Sequence, residues 1–318
     1  MSAAPAGGAP QRVILDCDPG IDDAFAIAFA CGHPGIDLVG VTTVAGNVGL
    51  DRTTVNALSV LEFLGHPEVP VAAGSSAPLL RPFHDAREVH GESGLGGARL
   101  PAPRARAADL HAVDFLIGQI SAAPGAVTLV ATGPLTNIAM AVRCYPPLVR
   151  QVADFVIMGG SAARGNTTPA AEFNIWADPE AAAIVFGAGW QVTMVGLDVT
   201  LQALTSAAVE ERMRGQGRLG GELLLPGLSE YRSAARPGQP VHDVCALALV
   251  AAPGLFGCEP ARVEVETVGR WTSGMTVTDF GATDADCNAQ VAMSVDVTGF
   301  WDLVLNAYDL AAAAMETG

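Results

Sequence analysis

Lysine is absent from this chain of 318 residues: all 17 basic residues are arginine, set against 33 acidic ones, for a formal charge of -16. A nucleic-acid backbone would meet a repulsive field, so nucleic acid is excluded as a partner, whereas a cation or a neutral small molecule suits the field. No apolar run reaches the 18 or more residues of a membrane span, and the first residues, MSAAPAGGAPQR, have neither the charged start nor the apolar stretch of a secretory signal. We therefore expect no membrane partner and a cytoplasmic protein. Cys17, Cys31, Cys144, Cys245, Cys258 and Cys287 form no C-x-x-C pair and no dense framework, which argues against a zinc site or a disulfide scaffold. Aromatic residues are only 6% of the chain, yet half of all residues are hydrophobic, enough apolar surface for a large core.

What is present is a repeated strand-then-helix pattern. Residues 1–11 read as a flexible leader and residues 12–318 as one domain. Val13-Ile14-Leu15 is a short buried strand ending at the turn cluster Asp16-Cys17-Asp18-Pro19-Gly20, and a helix follows with Asp22 and Asp23 in its first turn. Strands at Leu38 to Thr43, Val127 to Ala131, Asp154 to Met158 and Trp190 to Val195 alternate with helical patterns such as Arg52 to Leu64 and Thr136 to Arg143. Continuous apolar strands of this kind predict an α/β fold with a central, mostly parallel sheet covered by helices on both faces. Ligands of such sheets bind beyond the carboxyl ends of the strands, where Asp16, Asp18, Asn47, Thr132 and the residues after Met158 fall. Residues 81–106 and 214–239, rich in Gly, Arg and Pro, are the expected mobile loops.

Four carboxylates within eight residues, Asp16, Asp18, Asp22 and Asp23, cannot all be charged and close unless a cation neutralises them or some are protonated. Oxygen ligation suits a hard ion, calcium or magnesium. The same residues also suit a plain helix start and a turn. Asp243, before the apolar run Val244 to Ala252, fits either a helix cap or a remote metal ligand, and His242 either a buried hydrogen-bonded histidine or a proton donor. Asn166, Glu172 and Asn174, in the stretch NTTPAAEFNIWAD, offer hydrogen bonds suited to hydroxyls and thus to a sugar, or to their own loop backbone.

In order along the chain, Asp16-Cys17-Asp18-Pro19-Gly20-Ile21-Asp22-Asp23, Thr42-Thr43-Val44-Ala45-Gly46-Asn47, His90-Gly91, Ala131 to Asn137, Met158-Gly159-Gly160, Glu172-Phe173-Asn174, Asp178-Pro179-Glu180-Ala181 and His242-Asp243 resemble the inosine-uridine nucleoside hydrolase family. The resemblance spans nearly the whole chain. It implies hydrolysis of the N-glycosidic bond of a ribonucleoside, with Ca2+ held by Asp18, both oxygens of Asp23, the Thr132 carbonyl and Asp243. It further implies Asp18 as the general base on water, with Asn47 helping to place that water. Asp22 and Asn174 would hold the ribose 2'- and 3'-hydroxyls, Asn166 and Glu172 the 5'-hydroxyl, and Met158 would line the sugar pocket. His242 is the candidate donor to the leaving base, with His90, Phe173 and Tyr231 as candidate base contacts. A homodimer or homotetramer is implied as well.

Two other functions compete. A haloacid-dehalogenase-type phosphatase also places Asp-x-Asp after its first strand, but it normally sets a lysine on the phosphoryl group, and this chain has no lysine, so an arginine would have to substitute; Pro19-Gly20 after the pair also fits it poorly. A non-catalytic nucleoside-binding protein would have no use for the water-activating set Asp18, Asn47 and His242.

Overall fold

The computed structural model describes residues 9–230 and 238–317. Nine strands form one sheet: β1 (Gln11–Cys17), β2 (Ile36–Thr43), β3 (Val71–Ala73), β4 (Val127–Ala131), β5 (Phe155–Met158), β6 (Val192–Val195), β7 (Phe256–Val265), β8 (Thr276–Asp279) and β9 (Ala289–Val295). Their order is β3-β2-β1-β4-β5-β6-β9-β7-β8, and only β7 runs antiparallel to its neighbours β9 and β8. The mostly parallel α/β fold expected from the alternation is therefore present.

The two-residue period of β1 explains how both faces are covered. Val13, Leu15 and Cys17 join the core beneath the helices Ile21–Gly32, His242–Ala251 and Val297–Thr317, while Ile14 joins the core beneath Ala112–Ala122, Thr136–Cys144 and Pro179–Phe186. All but one residue of helix Ile21–Gly32 are buried, and its two first-turn aspartates are among them. Connections from β1 wind outward to β2 and β3 on one side and to β4, β5 and β6 on the other, so the sheet reverses its winding between β1 and β4. The crevice beyond such a reversal is where an open parallel sheet binds its ligand.

Two expectations need correction, and three strands are new. Strand β1 continues through Asp16 and Cys17, because Asp16 pairs in register with Thr42 and Ala131; the turn begins only at Asp18. Much of the segment 214–239, expected as a mobile loop, is helical: Leu219–Leu224 is a π-helical stretch that runs into the helix Leu225–Glu230, with Leu219, Leu223, Leu224 and Leu228 buried in the core. Leucines at helical spacing outweigh the local glycines there. The strands β7, β8 and β9 are additions, although Ala261 and Val263 alternating with Arg262 and Glu264 carry a period-two signal. Among the described residues, no helix is long and apolar enough to cross a membrane.

Candidate active site

Asp18 leaves the end of β1 and turns under the loop that follows β2. Its Oδ2 accepts the Asn47 backbone N–H at 2.6 Å, and the Asn47 amide Nδ2 donates to the Asp18 carbonyl at 3.2 Å and to Asp23 Oδ2 at 3.1 Å. Glycines let these backbones approach: a methyl group on Gly46 would fall 2.0 Å from Asp18 Oδ2, and one on Gly133 would fall 2.8 Å from Asp18 Oδ1. Asp23 reaches back from the first turn of helix Ile21–Gly32 to accept from the Gly20 N–H at 2.9 Å and from the Asp18 N–H at 3.3 Å, replacing the Ser or Thr cap this helix lacks. Across the crevice the Thr132 hydroxyl donates to Asp23 Oδ1 at 3.0 Å, which ties the start of helix Ile21–Gly32 to the end of β4.

Asp243 arrives from the far end of the chain on the first turn of helix His242–Ala251, and carboxylate oxygens of Asp22, Asp23 and Asp243 lie within 4.8 Å of one another. That trio differs from the ligand set the resemblance implies: Asp22 stands in it, whereas Asp18 adjoins Asp23 through Asn47. All four are buried. Burial, reinforced by mutual repulsion, pushes the Asp18 and Asp243 carboxyls well above their ordinary range and that of Asp22 up to about 8; burial raises Asp23 as well. Asp18 Oδ1 and Asp22 Oδ1 are buried and accept no hydrogen bond, and no arginine lines the cavity among the described residues. Carboxylate oxygens left in this condition fit a hard divalent cation.

Above this floor opens a cavity of about 680 Å3. Asn174 Nδ2 donates to the Thr132 carbonyl at 2.8 Å and to the Met158 carbonyl at 3.0 Å, so the carbonyl expected to face a metal also anchors the asparagine expected to hold the sugar. Glu172 caps helix Phe173–Ala177, accepting from the Asn174 and Ile175 N–H groups and from Gly160 N–H, and burial lifts its carboxyl to about 7. Asn166 Oδ1 accepts the Phe173 N–H at 3.0 Å, which closes that loop over the helix. His242 lines the cavity, its Nδ1 paired with the Thr200 hydroxyl at 2.8 Å. His90 accepts the Ile21 N–H on Nδ1 at 3.1 Å; burial pulls its pKa down to about 4, so the ring is neutral with its proton on Nε2.

The structure thus gathers Asp22, Asn47, His90, Thr132, Met158, Asn166, Glu172, Phe173, Asn174, His242 and Asp243 around one cavity, with Asp18 and Asp23 fully buried next to them. Tyr231 lies outside the described residues. Sequence reasoning missed His84, Trp176 and Gln239 on the walls, as well as Thr200 behind His242. It also missed Asn137, which binds Asp16 Oδ1 at 2.8 Å and the Thr43 carbonyl at 3.1 Å. Their signal was weak, since each is a single polar or aromatic residue whose partner is distant in sequence. Asp16 proves to be part of this supporting layer, because the strand period turns it to the Thr42 and Asn137 side.

Fold and cavity together define a class: an α/β enzyme with an acidic, cation-ready site at the switch point of a parallel sheet. The family model described as inosine-uridine preferring nucleoside hydrolase matches residues 13–302. The inosine-uridine preferring nucleoside hydrolase of Leishmania major is 45% identical over 307 residues, spanning 94% of this chain and 98% of the relative. The non-specific ribonucleoside hydrolase RihC of Klebsiella pneumoniae is 48% identical over 290 residues, 91% and 95% of the two chains. Among solved structures, the purine-preferring ribonucleoside hydrolase from Gardnerella vaginalis superposes with a TM-score of 0.90 at 34% identity, covering 95% of this chain and 100% of that one. The chain belongs to the inosine-uridine preferring nucleoside hydrolase family.

Proposed function

We propose that the protein hydrolyses the N-glycosidic bond of ribonucleosides to ribose and free base in a calcium-dependent reaction, and that residues 12–318 form the catalytic domain. The observation that carries this reading is the meeting of Asp22, Asp23 and Asp243, remote in sequence, within 4.8 Å beside buried Asp18, in a chain of this family. A calcium ion held by Asp18, Asp23, Asp243 and the Thr132 carbonyl would supply the charge that acidifies the attacking water and orients the ribose diol.

The chain's own groups do the rest. Asp18 takes a proton from water as the water oxygen bonds to the anomeric carbon; the Asn47 backbone N–H, donating to Asp18 Oδ2, keeps that carboxylate in place, and the Asn47 side-chain amide, held by the Asp18 carbonyl and Asp23, helps to place the water. As the bond from that carbon to the base nitrogen breaks, its electron pair leaves with the base and positive charge grows on the sugar. The anionic floor favours this charged transition state over the neutral ground state. Asp22 and Asn174 hold the 2'- and 3'-hydroxyls, Asn166 and Glu172 the 5'-hydroxyl, and Met158 packs on the sugar. His242, oriented by Thr200, gives a proton to the departing base. His90, with its Nε2 proton, and Phe173 contact the base, and Tyr231 is assigned there too.

Relatives named as inosine-uridine preferring, non-specific and purine-preferring show that base choice varies between such proteins. A reducing-sugar assay over purine and pyrimidine ribonucleosides, with and without chelator, tests the proposal. Ribose release that a chelator stops and calcium restores is expected; phosphate release from phosphomonoesters without ribose release from nucleosides, or tight nucleoside binding without any turnover, would overturn it. We further propose a cytoplasmic homodimer or homotetramer, to be tested by sedimentation equilibrium.

A further inference from the structure

Sugar, metal and proton transfer leave one part of the cavity wall without a role. Beyond Phe173, on the next turn of the same short helix, half-buried Trp176 faces the cavity, its ring centroid 6.4 Å from that of Phe173. His84 leans over Trp176 with centroids 5.5 Å apart and ring planes 46° apart. Going outward from the sugar-facing Asn174, the wall therefore runs Phe173, Trp176, His84, an aromatic surface longer than a single six-membered ring requires.

This surface is held rigidly. Gly274, at φ +85°, lies so close behind Trp176 that a methyl group there would fall 2.7 Å from the Trp176 Cα. Arg81, three residues before His84, grips both Glu180 oxygens through Nε and Nη2 at 2.8 to 3.1 Å. It also donates to the Thr267 carbonyl at 2.6 Å and to Ser273 Oγ at 2.8 Å. One guanidinium thus ties the His84 loop, the helix that follows Trp176 and the segment ending at Gly274 into a single unit.

We propose that Trp176, backed by His84, is a specificity-determining stacking subsite for the outer ring of a two-ring base, and that Arg81 is the positioning residue that holds it in register. The assignment rests on the nucleoside hydrolase reading. Stacking on a non-reacting ring acts equally on ground and transition state, so it appears in KM rather than kcat.

The test is steady-state kinetics of the full chain with calcium, on inosine and uridine. Trp176→Leu raises KM for inosine about 3- to 10-fold, the range of one aromatic stacking contact, while kcat and the KM for uridine stay within about twofold. Trp176→Phe restores most of the inosine affinity. His84 is exposed, so His84→Ala reads the same wall without threatening the fold, and shifts the inosine KM in the same direction by less. Arg81→Gln raises the inosine KM selectively, and Arg81→Lys, which cannot make the fork, recovers only part of it. Equal effects on both substrates, or none, in an active enzyme would overturn the stacking subsite alone; a wild type that releases ribose from neither nucleoside would overturn the hydrolase reading and the subsite with it.

Discussion

Gly46 offers the sharpest test of Asp18 as the base, because a single methyl group there falls directly on its carboxylate. In Gly46→Ala the added carbon would sit 2.0 Å from Asp18 Oδ2 and 2.8 Å from Pro134 Cδ. An ordinary carbon–oxygen contact needs about 3.3 Å, and the proline ring is rigid, so the carboxylate must yield by roughly 1 Å. A displacement of that size in a reacting group costs about 100-fold in rate. The groups assigned to the sugar, Asp22 and Asn174, are not among the three nearest contacts of the methyl, but Asp18 is also assigned to the calcium that orients the diol, so KM should rise as well while kcat falls about 100-fold. Crowding should also lower stability by about 1 to 3 kcal/mol, the usual cost of an extra methyl in a packed interior. Gly118→Ala is the control: nothing lies within 4 Å of a methyl there, and an alanine inside helix Ala112–Ala122 should stabilise by about 0.5 to 1 kcal/mol with kcat unchanged. Kinetics on inosine and a thermal melt of both variants decide the matter. A folded Gly46→Ala enzyme with kcat within threefold of wild type would refute the placement of the base.

Other perturbations address the surrounding layers. Asn137→Ala strips Asp16, the Thr43 carbonyl and the Ser75 N–H of a buried partner and should cost about 2 to 4 kcal/mol, read from denaturant unfolding; a loss below about 0.5 kcal/mol would contradict the supporting role. Glu172 has its carboxyl raised from 4.5 to about 7 by burial, so the native state holds a proton that the unfolded chain has released. Its proton-linked stability is full below pH 4.5 and lost as pH climbs through about 7. The melting temperature of wild type relative to Glu172→Gln should therefore fall across that window, and a constant difference would refute the assignment. His242→Ala should slow inosine by about 100-fold or more, the range of general acid catalysis, yet barely slow an activated p-nitrophenyl riboside; equal losses on both would remove His242 from proton donation.

Much of this was legible in the sequence because it is local. Buried parallel strands are continuous apolar runs, and Asp18, Asp22 and Asp23 lie within one turn and one helix start, so a strand-end acidic site could be read directly. That Asp243 would join them from helix His242–Ala251 was only one of two local readings, helix cap or remote metal ligand, and the ordered resemblance was what favoured the ligand. The π-helical stretch Leu219–Leu224 was hidden because glycine signals a loop in isolation while burial of leucines decides in context. Likewise the hydroxyl of Thr200 and the amide of Asn137 acquire their roles from partners 42 and 121 residues away, a distance no local pattern spans.

The central claim is that acidic groups from both ends of the chain share one divalent ion. Calorimetric titration of calcium into chelator-treated protein tests it most directly, comparing wild type with Asp23→Asn and Asp243→Asn. We expect one calcium per chain in wild type and loss of that heat in each variant with the fold retained by circular dichroism; undiminished binding in either variant, or no binding in wild type, would contradict it.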